Sequence, residues 1–310
     1  MSFRWIALHL LTLFTLPVFV VGVINRTKAL WAGRKGLPIS QAFWDLLRLM
    51  RKRPVYSTVT TAIFSGVPYV VLATSIVSGI IVPLLGTRAP MSFPFDFVFF
   101  AYAWGLGRLA LILGALDTGS SFEGMGASRE ATYSLLAEPV LFLVMGTLVA
   151  ATGKNSFAEL LQFHAHDPST AVILVACTIA LFIILQVESA RIPVDDPNTH
   201  LELTMIHEVM ILDHSGPDLA AMQYASAIKM TVCAGLLATL LNPLSGSSRS
   251  GSLIAVVNIG LILGVAVLVG TIESLIARLK LKAIPQYVLV ALVAAFVALL
   301  ASTWHSGAAG

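Results

Sequence analysis

The run from Glu188 to Asp218 gathers titratable side chains more densely than the rest of this 310-residue sequence. Glu188, Asp195, Asp196, Glu202, Glu208, Asp213 and Asp218 are interleaved with His200, His207 and His214. Thr199 to Asp213 reads as helical, and its histidines recur every seven residues, about 10 Å apart on a helix rising ~1.5 Å per residue. Zinc holds its ligands at about 2 Å, so these histidines cannot share one metal ion. His207-Glu-Val-Met-Ile211 opens like the zinc-protease pattern H-E-x-x-H, but Ile211 stands where the second histidine is needed. Titratable groups two turns apart suit proton relay better than metal binding. A solvated acidic face is the plainer alternative.

Four further ionisable residues, with Glu188 again, fall inside or at the ends of long apolar runs: Arg108, Glu138, Lys229 and Glu273. Charge at membrane depth is costly and marks ion or proton pathways or structural pairs. Lys229 lies about two turns from the end of its run, where a lysine can snorkel to the surface. Arg108 fits either an acidic partner on a neighbouring helix or a transport role. Glu138 precedes Pro139, whose missing N–H frees a backbone carbonyl beside the carboxylate. Gly105-Leu-Gly-Arg-Leu-Ala110 matches a dinucleotide-binding pattern but sits in an apolar run with no strand before it, which rejects that reading. Asp117 to Glu130, rich in glycine and hydroxyls, reads as a flexible lip or a plain helix connection.

The elements that must position these residues are set by composition. The chain is 57% hydrophobic and 11% charged, against about 25% charged in a soluble domain. Apolar runs of this length imply helices that satisfy their own backbone hydrogen bonds in lipid. Strand-length alternation is absent, which argues against a barrel. Windows of about 19 residues place spans near 5–25, 61–86, 94–115, 131–151, 169–189, 220–243, 252–278 and 285–304. The expectation is an all-α integral membrane protein, one polytopic unit over 1–310, with about eight spans and a large acidic loop between the fifth and sixth.

Arg26, Lys28, Arg34, Lys35, Arg48, Arg51, Lys52 and Arg53 crowd the first loop, whereas the second carries Arg88 and the fourth Lys154. The positive-inside rule then makes loops 26–60, 116–130, 190–219 and 279–284 cytoplasmic, with both termini outside a cytoplasmic (inner) membrane. Phe43, Leu46, Leu47 and Met50 share one helical face opposite Asp45, Arg48, Arg51 and Lys52. That pattern reads as an interfacial helix, either a topological anchor or a docking surface. The net charge of +3 follows from these loops, and no separate basic domain offers itself to nucleic acid. Cys177 and Cys233 lie in different apolar runs, without a C-x-x-C or Cys/His cluster, and read as apolar filler. No ligand set for a metal, an iron–sulfur cluster or nickel is visible in the sequence.

Several stretches resemble the subunit 1 family of proton-pumping NADH–quinone oxidoreductases (respiratory complex I), and most closely its relatives in membrane-bound nickel–iron hydrogenases, of the formate hydrogenlyase subunit 4 type. They are Asp117-Thr-Gly-Ser120, Gly126-Ala-Ser-Arg-Glu130, the nine-residue step from Arg129 to Glu138, Glu188-Ser-Ala-Arg-Ile-Pro-Val-Asp-Asp-Pro197 and Thr199-His-Leu-Glu-Leu-Thr-Met-Ile-His-Glu208. Glu188, Arg191, Pro193, Asp195 and Glu202 match the quinone-reducing branch, while Val194, Asn198 and His200 depart from it toward the hydrogenase branch. Arg34-Lys-Gly-Leu-Pro-Ile-Ser-Gln41 followed by Asp45 is similar to the family's first loop, with Leu37 in the family's proline position.

The resemblance implies a membrane anchor and proton-coupling subunit, itself without cofactors. Its partners would be hydrophilic hydrogenase-like large and small subunits on the cytoplasmic side, carrying iron–sulfur clusters and a nickel–iron centre, and antiporter-like membrane subunits. Glu138, Glu188, Glu202, His207, Glu208 and Glu273 would then carry or sense protons. Arg129, Arg191, Asp195, His200, Arg34 and Asp45 would anchor the loops or dock the partner. Two alternatives stay open: a quinone-site subunit, and a stand-alone ion-coupled transporter, against which the lack of a visible internal repeat weighs.

Overall fold

The computed structural model describes residues 3–195, 205–246 and 250–308. His200 and Glu202 lie outside these, as does Asp196. The described residues are helical, with no strand among them. Eight helices are long and apolar enough to cross a membrane. They are α1 (Phe3–Trp31), α3 (Ala62–Ile81), α4 (Asp96–Asp117), α5 (Ser121–Thr152), α7 (Pro168–Glu188), α9 (Gly216–Leu241), α10 (Gly251–Leu275) and α11 (Ile284–Ala308). Short helices α2 (Gln41–Met50), α6 (Phe157–Leu160) and α8 (His207–Met210) lie in the connections.

Helix α9 is the centre of the bundle, buried along most of its length and packed on α1, α2, α3, α7 and α10. Helices α5, α7 and α11 form a second group joined to it through α7, and α4 bridges α3 and α5. Lipid tails are as apolar as leucine, so helices associate in a bilayer by close van der Waals packing. Gly107 and Gly114, two turns apart on α4, supply that closeness against α3: an added Cβ would stand 2.5 Å from Thr74 Oγ1 and 2.9 Å from Val67 Cγ2. Helix α7 starts at a capping box of Asp167 and Thr170 with Pro168 in the first turn, which satisfies orphan N–H groups where the chain enters lipid.

Two expectations are corrected. The connection expected over 116–130 is a short turn, because α5 begins at Ser121 and runs 32 residues as one helix. The helix expected from Thr199 to Asp213 is four residues long where described, from His207 to Met210, and turns at 211–213. Its start is fixed by Asp195, whose Oδ2 accepts the backbone N–H groups of Ile206 and His207, both at 3.0 Å. Its end comes just before Gly216-Pro217 opens α9. His207 and His214 therefore share no helix, and a relay along one helical face is excluded for this pair. The amphipathic helix expected around Phe43–Met50 is present as α2, with Phe43, Trp44 and Met50 exposed on it.

Candidate functional site

Arg108 sits on the buried face of α4, one turn beyond Trp104, with 6% of its side chain exposed. Three carboxylates converge on it. Glu130 Oε1 lies 3.4 Å from Nε, Glu138 pairs with Nη1, and Glu188 pairs with Nη2. Glu130 and Glu138 are two turns apart on α5 and so face α4 together, while Glu188 is the last residue of α7. Lys229 of α9 adds a second cation, 3.5 Å from Glu188 Oε2 and 5.2 Å from the centroid of the Trp104 ring. Four spans thus contribute two cations and three acids to one node. Such groups survive in a membrane interior only when paired, because a lone buried charge is strongly destabilising. Side-chain exposure within the node is uneven: 5% for Glu188, 18% for Glu130 and 44% for Glu138.

The segment after α7 is tied down beside this node. Arg278 lies 2.9 Å from Asp195 Oδ1, and Leu279 donates its N–H to the Pro193 carbonyl at 2.9 Å. Arg129 of α5 donates to the Met205 carbonyl at 2.8 Å. Arg191 approaches Glu273 Oε1 at 3.6 Å, and Lys28 of α1 holds Glu273 Oε2 at 2.9 Å. Glu273 is therefore fully buried in a separate ion triad that fastens α1, α10 and the 191–195 segment together, apart from Arg108.

Two cavities meet at His207. A cavity of about 310 Å³ opens between α1, α2, α8 and α9, with Asp45, Arg191, His207, Glu208 and Gln223 among its polar lining. A void of about 20 Å³ lies against Arg108, Glu130, Lys229 and Trp104, room for about one water molecule. His207, Ile211, Met222 and Ser226 line both, so they form the partition between them. A further void of about 10 Å³ joins Glu130 and Glu188 to Asp195 and Ile206. Burial, reinforced by the charge of Lys229, pushes the His207 imidazole down to about 4, against the opposing pull of Asp195 and Glu188. The ring is neutral near pH 7, with one nitrogen donating and one accepting, the state in which imidazole passes protons.

Of the residues singled out from sequence, Glu138 and Glu188 enter the node, and His207 and Glu208 stand at its partition and cavity. Arg129, Arg191 and Asp195 fasten the segment that carries α8. Asp45 lines the large cavity and accepts from Gln41 at 2.9 Å, whereas Arg34 is exposed on the turn after α1. Glu130 was missed as a site residue. Its signal was available, since it lies eight residues before Glu138, but a loop assignment for 116–130 hid their shared face.

The family model described as NADH dehydrogenase matches residues 5–304. Hydrogenase-4 component C of Escherichia coli (strain K12) is 31% identical over 242 residues, covering 77% of this chain and 74% of that protein. Formate hydrogenlyase subunit 4 of the same organism is 25% identical over 296 residues, covering 92% and 94%. Among solved structures, a chain of the membrane-bound sulfane sulfur reductase, an archaeal respiratory membrane complex, superposes with a TM-score of 0.76 at 18% identity over 96% of this chain and 99% of its own. At that identity the likeness is one of fold.

Proposed function

The chain belongs to the NADH dehydrogenase family, and from that premise we propose that it is the membrane anchor and proton-coupling subunit of a complex I-like oxidoreductase of the membrane-bound nickel–iron hydrogenase type. The end of the bundle bearing α2 and α8 faces the cytoplasm and docks a soluble arm whose subunits hold iron–sulfur clusters and the nickel–iron centre. The relatives named above support the hydrogenase assignment, and the basic first loop supports the orientation.

The observation that carries the coupling role is the buried Arg108 node, separated from a large cavity at the α2 end by little more than His207 and its neighbours. Electron transfer in the arm displaces the described stretches 191–195 and 205–214. Asp195 and Arg129 transmit that displacement to α8 and α5, and it changes how Glu188 and Glu130 share Arg108 and Lys229. A carboxylate that loses its cation gains affinity for a proton, and one that regains it releases the proton. His207 relays protons from the cavity into the node. Glu138, the most exposed acid of the node, is the exit toward an adjoining antiporter-like membrane subunit. Glu273, with Lys28 and Arg191, holds the segment's far side.

One observation favours a second reading. The large cavity has apolar walls from Val18, Val21 and Leu46 and a polar end at Arg191, His207 and Glu208, beside the amphipathic α2. That lining fits a molecule with a polar head and an apolar tail, such as a quinone, in a quinone-linked complex.

Isolation of the complex in mild detergent, with subunit identification and metal analysis, tests the proposal. Co-purifying soluble subunits with iron and nickel are expected. Iron without nickel, together with bound quinone, would favour the second reading. A lone chain that transports ions by itself would contradict both.

A further inference from the structure

We propose that Glu123, near the start of α5, is a second proton-loading carboxyl, which passes its proton to Glu130 when α8 lifts from the α5 surface; this rests on the coupling role proposed above. Glu123 is 2% exposed, and neither of its carboxylate oxygens has a hydrogen-bond partner. Thr118 and the backbone of Asp213 lie beside it without hydrogen-bond geometry. Other buried acids are matched by a cation or by a hydrogen-bond donor: Glu130 and Glu188 by Arg108, Glu273 by Lys28, Asp195 by Arg278, Asp96 by the Phe157 N–H and Asp218 by the Tyr56 hydroxyl. Glu123 has no cation within ion-pair distance among the described residues. A structural acid would be paired in this way, so its burial calls for another reason.

Position supplies that reason. Glu123 and Glu130 are seven residues apart on α5, on one face and about 10 Å along the axis. Gly126 lies on that face between them, and α8 is seated on it. A Cβ there would stand 2.3 Å from Val209 Cγ1, 2.9 Å from the Ile206 carbonyl oxygen and 3.0 Å from Met210 Cγ. The contact plugs the α5 face between the two acids. The plug hangs from Asp195 and Arg129, so the displacement that alters the Arg108 node also unseats it.

His214 lies on the turn after α8. It is buried, stacked on Phe64 at 3.9 Å, and neither ring nitrogen has a hydrogen-bond partner. Other acids at this end of the bundle are Asp213, beside Glu123, Asp218, which accepts from Tyr56 at 2.7 Å, and Asp117, which accepts from Thr61. In the proposed step a proton from water at the α2 end binds a Glu123 oxygen, and that O–H bond breaks as one forms on Glu130. No electron moves in this step.

The test uses the intact complex in sealed inside-out vesicles, with hydrogen evolution from reduced viologen as the electron-transfer readout. Glu123→Gln should lower proton uptake per electron by at least about tenfold, since a positioned proton-transfer group contributes about 10²–10⁴-fold to its step, and Glu123→Asp should restore it. Wild-type uptake per electron in Glu123→Gln would overturn the proposal. If that variant fails to assemble, infrared difference spectra after a pH jump decide: the carboxyl stretch should shift between wild type and Glu123→Asp, and identical spectra would overturn the proposal. Val209→Ala, which thins the plug, should raise passive proton leak in the wild-type background but not beside Glu123→Gln. Arg108→Gln separates the two layers of the account. Normal coupling there would sink the underlying function, whereas defective coupling there with normal coupling in Glu123→Gln would sink only this proposal.

Discussion

Replacing Arg108 by glutamine removes the guanidinium that Glu130, Glu138 and Glu188 share, and the structure sets the size of the consequence. With all groups ionised, the node carries two positive and three negative charges, a net charge of −1; without Arg108, Lys229 alone faces three acids, a net charge of −2. Breaking a buried ion pair by removing one partner costs about 3–5 kcal/mol. Glu138 is 44% exposed and can rehydrate, which places the expected loss near the lower end, about 3 kcal/mol. Glu188, 5% exposed, cannot do so but keeps Lys229, so Glu130, 18% exposed and left without a cation, carries most of it. Arg108→Gln combined with Glu130→Gln leaves Lys229 with Glu188 and the half-exposed Glu138, one cation with two acids, and returns the node to −1. The double variant should therefore be more stable than Arg108→Gln alone by about 1–3 kcal/mol. Unfolding free energies in mixed micelles, measured by denaturing-detergent titration on all four members of the cycle, give these differences directly. An Arg108→Gln protein as stable as wild type, or a double variant no better than the single, would refute the pairing argument.

Acid should loosen the α8 region. Burial holds both His207 and His214 at about 4, below the usual 6.5, so the unfolded segment binds more protons as pH falls. Their neutral-state contribution is complete above about pH 6.5 and lost by about pH 4, on the order of 3 kcal/mol each as an upper bound. Hydrogen exchange of residues 205–215, corrected for intrinsic rates, should accelerate across that window, and pH-independent protection would contradict the burial argument. Gly22→Ala should destabilise, since its Cβ would stand 2.0 Å from the Ile39 carbonyl oxygen and push the first loop off α1. A loss of about 1–3 kcal/mol is expected, while Gly146→Ala, with open space at that position, serves as the neutral control in the same melting assay.

The spans were legible because hydropathy is a local signal. All eight expected spans coincide with helices, and the amphipathic face of α2 was readable from Phe43, Leu46, Leu47 and Met50. Pairing was not legible, because Arg108 meets Glu138 across 30 residues and Glu188 across 80, and nothing local to Arg108 names either partner. Glu188 and Glu138 could be picked out only as costly charges in apolar runs. Glu130 escaped because glycines and hydroxyls over 117–128 looked like a loop, whereas in α5 they serve packing: Gly126 admits α8. Helical periodicity misled over 199–213, where backbone capping by Asp195 and the Gly216-Pro217 start of α9 break what the spacing of His207 and His214 suggested. Glu273 looked like a proton carrier for the same reason as Glu188, and only the fold reveals that Lys28 and Arg191 hold it apart from the node.

In the proposed mechanism Glu188, between Arg108 and Lys229, links movement of the stretches 191–195 and 205–214 to proton transfer. Proton uptake per electron in sealed inside-out vesicles carrying the intact complex with Glu188→Gln tests it most directly. Hydrogen evolution uncoupled from proton uptake is expected, with the ratio falling by about tenfold or more. An unchanged ratio in a fully assembled Glu188→Gln complex would contradict it.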